Sequence, residues 1–225
     1  MTIKIGDFVE VDFIGRIKGN GVFDTNIEEE AKKYDLYKEN GNYKAYIICV
    51  GQHHILKGLD DQITGKDVGE YDFDISAENG FGNKDAKLMK LVPLRLFHAQ
   101  NIDPKPGLVV NVDGILGIVR SVSSGRCIVD FNHPLAGKDL SYHINIKRII
   151  TDLKEKLTGL LYFDLFLDED KYNIDVNEGN IEIKIKVVVP TEITDKFKEH
   201  AKGLIKDIKE LNIIIDDKKQ VTNDN

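Results

Sequence analysis

The sequence predicts an α+β protein made mainly of antiparallel strands, with a β-rich domain inserted into a loop and an α/β domain at the C-terminal end. Three observations lead there. Val9, Val11 and Phe13, and later Tyr71, Phe73 and Ile75, alternate with charged residues at the period of half-buried strands. The same period returns at Tyr142, Ile144 and Ile146 after a block of different texture. Beyond Thr151 lysine, isoleucine and aspartate dominate, and an apolar stripe at helical spacing follows. By length alone, 225 residues should divide into about two domains.

Phe8 to Ile14 forms the first strand, with Glu10 and Asp12 opposite its apolar face. Gly19-Asn20-Gly21 accepts positive φ, so a hairpin turn leads into Val22-Phe23-Asp24. Residues 27 to 38 favour a short charged helix ended by Asn40-Gly41, and Tyr46 to Val50 a second apolar strand. Leu56, Leu59 and Ile63 fall at i, i+3 and i+7 with Gly65 as C-cap, which places one short helix over the sheet. The strand at 71 to 75 runs into the glycine loop Asn79-Gly80-Phe81-Gly82.

From about Lys84 the segment LMKLVPLRLF is dense in leucine, and PKPG at 104–107 is a turn. Strand-like runs follow at 108–112, 115–122 and 126–131, joined by hairpins at Asp113-Gly114 and Ser123-Ser124-Gly125. After HPLAGKDL the first pattern resumes, as expected where a domain is lodged in a loop. Further on, LLYFDLFL reads as a strand, Asn177-Glu178-Gly179-Asn180 as a hairpin and IEIKIKVVV as a second strand. Ile193, Phe197, Ala201, Leu204, Ile205, Ile208 and Leu211 form one helical stripe from Thr194 onward, Ile213 to Ile215 is a candidate closing strand, and the last ten residues are expected to be loose.

Hydrophobic residues at 41% and charged residues at 31% make a globular composition. No run of about 18 apolar residues occurs, and MTIKIGDFVEVDF alternates too early and carries too many acids for a signal peptide, so a cytoplasmic protein with no membrane partner is expected. A net charge of −7 leaves counterion-release binding without a driving field, and no nucleic-acid partner is expected. Cys49 and Cys127 form neither a CxxC pair nor a disulfide framework and read as buried free thiols.

No Ser/His/Asp order, HExxH or zinc-spaced cysteine pattern occurs, so covalent and metal-assisted mechanisms lack their parts. His53 and His54 are adjacent and point apart in a strand or tight turn, and His98, His133 and His143 are distant, so no metal is expected. Asp168, Asp170 and Asn173 lack the glycine of a calcium loop. Gly80-Phe81-Gly82 lacks the third glycine and βαβ setting of a dinucleotide site, and no cofactor is expected. What remains is an apolar and aromatic set around one carboxylate: Phe13, Phe23, Asp24, Tyr46, Ile55, Leu56, Leu59, Phe81 and Tyr142.

These residues sit in motifs that resemble a known family. GVFDTN (21–26), VGQHHILKGLDDQITGKDVGE (50–70), SAENGFG (76–82) and LSYHINI (140–146) are similar to the FKBP-type prolyl isomerases. The interruption before the last strand, above all VDFNHPLAGKDL (129–140), resembles the SlyD-type subgroup, whose insert is a chaperone domain, and the long C-terminal part resembles the archaeal long-chain form. The resemblance implies an antiparallel half-barrel sheet around a short helix, with the substrate proline in the groove between them. Carried over residue by residue, Phe13, Phe23, Tyr46 and Tyr142 are the aromatic walls, Leu59 the floor, Ile55 and Leu56 the backbone-binding edge, Asp24 the carboxylate at the rim and Phe81 the loop residue over the peptide.

Three positions depart from the family. Leu59 stands where tryptophan is frequent, Phe81 where a tyrosine donates its O–H, and Phe13 where the first wall residue is tyrosine, so the groove stays apolar while tight macrolide binding is not expected. The chain ends VTNDN, without the histidine-rich metal tail of SlyD.

The implied organisation is an isomerase domain at 1–86 and 138–150, an inserted chaperone domain at 87–137 and a C-terminal α/β domain at 151–225. The implied partners are unfolded or partly folded chains with X-Pro bonds, held by Leu88, Leu91, Val92, Leu94, Leu96 and Phe97, with burial of some of these in the insert's own core as the alternative. Leu160–Leu167 and Val187–Val189, read as strands apolar on both sides, suggest a homodimer through the C-terminal domain, against docking of that domain on its own chain. A holdase without useful catalysis and an assembly scaffold are the competing functional readings.

Overall fold

The computed structural model describes residues 2–215, so the expectation that the last ten residues are loose lies outside the described residues. In chain order the elements are β1 (Phe8–Ile17), β2 (Val22–Thr25), α1 (Glu28–Lys33), β3 (Tyr46–Cys49), α2 (Lys57–Ile63), β4 (Gly69–Ile75), β5 (Met89–Pro93), α3 (Leu94–His98), β6 (Val109–Val112), β7 (Ile115–Ser123) and β8 (Arg126–Asp130). They continue with β9 (Leu140–Ile150), α4 (Leu153–Leu165), β10 (Tyr172–Asn177), β11 (Asn180–Ile185), α5 (Thr191–Leu204) and β12 (Glu210–Ile215). The chain divides into two compact units, residues 1–74 with 141–225, and residues 75–140.

In the first unit the strands run β2-β1-β9-β4, with β3 also paired to β1. β1 is long enough to serve two partners: Phe8–Val11 pairs with β3, and Ile14–Arg16 pairs with β2 across a bulge at Gly15/Arg16. The period-2 pattern lands as the sequence requires, with Tyr142, Ile144 and Ile146 buried and His143 and Asn145 between them half-exposed. α1 stops at Lys33, short of the expected Lys38, because Asp35 adopts φ 57° and turns the chain out of the helix.

The C-terminal part of this unit carries the sheet β10-β11-β12. Glu178 (φ 49°) and Gly179 (φ 86°) form the two-residue turn of the antiparallel β10–β11 pair, while β11 and β12 are parallel and α5 makes the crossover between them. LLYFDLFL is not a strand: Leu160–Leu165 belongs to α4, which Phe166 ends at φ 54°, and Asp152 caps its N-terminus by accepting the Glu155 N–H at 2.9 Å. A short run that is apolar apart from one aspartate shows no clear period to tell strand from helix, and here Leu157, Leu160 and Leu161 bury one helical face. α5 begins at Thr191 and ends at Leu204, so Ile205, Ile208 and Leu211 fall beyond it, Leu211 in β12.

α4 packs on β3 so closely that a Cβ on Gly159 would overlap the Ile47 carbonyl oxygen. Phe8 and Cys49 of the first sheet therefore share one core with Leu157, Leu160, Ile183, Phe197 and Leu211. The doubly apolar strand that motivated a partner subunit is absent. Its leucines are covered within the chain.

The second unit is a four-stranded antiparallel sheet in the order β5-β8-β7-β6. Asp113-Gly114 (φ 52° and 85°) and Ser124-Gly125 (φ 42° and 81°) place both central residues at positive φ, matching the twist of a tight hairpin. Its core is Val92, Phe97, Val110, Val119, Cys127 and Val129. Both cysteines are free and buried, and burial pushes the Cys49 thiol up to about 12.

Candidate active site

The VFDTN segment fixes the site through hydrogen bonds of its last two residues. Asn26, buried, accepts the Phe13 N–H at 2.8 Å and donates to the Val11 and Lys44 carbonyls at 3.0 Å each. Thr25 Oγ1 donates to the Phe13 carbonyl at 2.7 Å. Both backbone polar groups of Phe13 are thus held by side chains, two residues before the β1 bulge, and that clamp positions Phe13.

Four aromatic residues meet there. The Phe13 centroid lies 5.7 Å from Tyr46 and 6.0 Å from Tyr142, and Phe23 meets Tyr142 edge-on at 5.9 Å. Gly15 makes room for them, since a Cβ on it would stand 3.0 Å from both the Phe23 and Tyr142 rings. Asp24 has an exposed side chain next to these rings, and the crowd of protein atoms around its carboxyl raises its pKa against the lowering effects of the Thr25 amide and Lys38. Burial and, secondarily, the Asp24 charge push the Tyr142 phenol well above its ordinary value. Beside Asp24 opens a cavity of about 220 Å³ lined by Phe23, Lys38, Tyr43 and Tyr46 among others.

Leu59 is buried on α2, and Ile55 and Leu56, half-buried, precede that helix. The buried Asp60 carboxylate anchors the preceding turn, accepting Gly51 N–H at 3.0 Å and His53 N–H at 2.9 Å. As the sequence required, the two adjacent histidines point apart: His53 is exposed and His54 turns inward. Phe81 belongs to the second unit, where its ring stacks on His133 at 4.4 Å.

Of the residues expected to hold client chains, Leu88, Leu91 and Leu96 are exposed, Leu91 by 63%. Val92 at 7% and Phe97 at 3% are buried in the insert's own core, with the partly buried Leu94 packed against it, as the alternative reading of these residues expected. Met89, Leu108, Val109, Ile115 and Leu116 add to the exposed apolar surface and were not singled out by sequence. Val109, Ile115 and Leu116 lie on the β6–β7 hairpin, and β6 is a sheet edge.

Comparison with known proteins bears on this arrangement. Residues 1–94 match the family described as FKBP-type peptidyl-prolyl cis-trans isomerase, and residues 90–135 match the FKBP26 IF domain. The short-type peptidyl-prolyl cis-trans isomerase of Methanocaldococcus jannaschii is 33% identical over 148 residues, covering 65% of this chain and 94% of that protein. This chain belongs to the FKBP-type peptidyl-prolyl cis-trans isomerases. The SlyD isomerase of Aeromonas hydrophila is 32% identical over 110 residues, 48% of this chain and 52% of that protein, and a probable FKBP-type 16 kDa isomerase of Pseudomonas fluorescens is 31% identical over 103 residues, 43% and 67%.

The chain is therefore an FKBP-type domain with a SlyD-like insert. Within this FKBP fold, sequence reasoning overlooked Gly15, Thr25 and Asn26. A glycine inside an alternating strand is the available signal for Gly15. Asn26 carries none, because its partners are backbone atoms up to 18 residues away.

Proposed function

We propose that this FKBP-type chain catalyses cis/trans isomerisation of X-Pro bonds in unfolded or partly folded proteins and that its insert holds those clients. In this reading Phe13, Phe23, Tyr46 and Tyr142 wall the proline groove and Leu59 forms its floor. Ile55 and Leu56 bind the peptide backbone and Asp24 stands at the rim, while Phe81 is carried as a site residue on the family resemblance. The observation that carries it is the mutual contact of the four rings beside the Asp24 carboxyl.

Rotation about the prolyl bond is opposed by about 18–20 kcal/mol of amide resonance, and no bond is broken. A groove accelerates it by binding the twisted amide better than either planar isomer. Asp24 orients the groove or answers the changing amide dipole, and transfers no proton. No cofactor or metal takes part in this scheme.

The domain division at 1–86 with 138–150, 87–137 and 151–225 is part of the proposal, as are an archaeal long-chain form and a cytoplasmic location. The identity to an archaeal relative and the additional C-terminal sheet support the long-chain reading. Among the described residues no helix is long and apolar enough to cross a membrane. A homodimer through the C-terminal part rests on the exposed Phe166, Val188 and Ile214.

Refolding of a proline-limited test protein by the full chain and by a chain lacking 87–137 tests the combined function. The full chain is expected to accelerate refolding strongly and the deletion weakly, with both active on short peptides. Equal refolding by the two removes the client-holding role. Binding of unfolded chains without acceleration by either favours a holdase.

A further inference from the structure

Three consecutive residues of α4 contact Tyr46 or His54. The Tyr162 ring lies 5.4 Å from Tyr46, with the two hydroxyls 3.5 Å apart. Phe163 meets Tyr46 edge-on at 5.5 Å and on another side stacks on His54 at 4.7 Å, nearly parallel. Asp164 presents Oδ1 to His54 Nε2 at 3.8 Å and Oδ2 to His200 Nδ1 of α5 at 2.8 Å. His200 Nε2 in turn lies 3.2 Å from Gln52 Oε1, back in the loop that carries His54.

His54 is the residue immediately before Ile55 and Leu56. Its side chain is only 5% exposed, and Nδ1 accepts the Cys49 N–H at 3.1 Å, which puts the proton of the neutral ring on Nε2. That Nε2 is buried with no hydrogen-bond partner. A buried imidazole left half-satisfied is costly unless something holds it, and what surrounds it is the Phe163 face and the Asp164 carboxylate. The loop 52–56 is thereby tied to two helices whose contacting residues lie more than 100 positions further along the chain than the loop itself.

We infer that Phe163, Asp164 and His200 are positioning residues for the isomerase groove, holding the Ile55–Leu56 edge through His54 and the Tyr46 wall through Phe163. The C-terminal segment then belongs to the catalytic apparatus of its own chain. The inference rests on the isomerase reading proposed above. None of the three residues touches substrate in this account; they act through His54 and Tyr46.

The test compares full-length wild type with Phe163→Ala, Phe163→Tyr, His200→Ala and Asp164→Asn on a short X-Pro peptide, with kcat and KM determined separately across pH and folding checked by thermal unfolding. Phe163→Ala is expected to lower kcat/KM about tenfold, since misplacing a binding edge by a fraction of an ångström is enough for that. Phe163→Tyr restores the stacked ring and recovers the rate. Titration of His54 gives kcat/KM an acid limb; the charges facing His54 are Asp164 on α4, His200 on α5 and Asp60 on α2. Removing the Asp164 charge makes protonation of His54 harder and shifts that limb to lower pH, which a merely structural role does not do.

Unchanged kcat, KM and pH profile in folded variants, with an active wild type, overturns the inference alone. A wild type inactive on X-Pro peptides overturns the isomerase reading and the inference with it. If Phe163→Ala does not fold, Asp164→Asn, which keeps the side-chain shape, decides by the same readouts.

Discussion

Asn26 stands two residues past Asp24 and uses its single side-chain amide to close three backbone hydrogen bonds around Phe13. Truncation leaves buried backbone groups without partners, so Asn26→Ala is expected to cost about 2–3 kcal/mol in denaturant unfolding and to reduce activity through the displaced Phe13 ring. A variant with an unchanged midpoint contradicts that role. Asp130 is the corresponding point in the insert. Burial alone raises its pKa, but Lys84 at 2.9 Å, Asn132 and Arg120 together hold it well below the usual carboxylate range. A depressed native pKa means stabilisation that is fully present above the unfolded value near 4 and is lost as pH falls below it. Unfolding followed between pH 7 and pH 2 is expected to show that loss, and Asp130→Asn to flatten it while destabilising the insert at neutral pH; parallel curves for the two proteins disprove the assignment. Asp24 is expected to behave differently: Asp24→Ala lowers peptide isomerisation by less than the about 10²–10⁴-fold typical of a lost general acid or base, and a larger loss restores proton transfer to the mechanism.

Elements with a period or a turn signature were legible in the sequence, and elements without one were not. The strands around Phe13 and Tyr142 follow from alternation, and the hairpins at Asp113-Gly114 and Glu178-Gly179 from residues that accept positive φ. α4 was misread because LLYFDLFL, apolar apart from Asp164, is too short to show a period of its own, though Asp152 three residues before Glu155 is a usable N-cap signal. The client surface was half legible for a similar reason: leucine density marks apolar content and not the side of the sheet it faces, so Val92 and Phe97 proved to be core while Leu116, 66% exposed, went unnoticed. Leu116→Asp in the β6–β7 hairpin is expected to weaken suppression of aggregation of an unfolded client, read by light scattering, and to leave X-Pro peptide isomerisation unaltered. Undiminished suppression removes that hairpin from the client surface.

For the whole molecule, the decisive connection is one that local sequence patterns do not encode. His54 and His200 are 146 residues apart, and only the folded chain brings both to Asp164. The shared core of Phe8, Cys49, Leu160 and Phe197 likewise makes the C-terminal part a structural partner of the first sheet, which weakens the original argument for a second subunit without deciding it. Sedimentation at micromolar concentration decides: a mass near the 25.4 kDa of one chain excludes the proposed homodimer, and twice that mass supports it. The central claim is catalysis in the aromatic groove, and its most direct test is the cis-to-trans conversion of a short X-Pro peptide followed with increasing amounts of folded protein. The rate is expected to rise in proportion to the full chain, to survive deletion of 87–137 and to be largely lost in Phe23→Ala; a folded chain that leaves the uncatalysed rate unchanged contradicts the account.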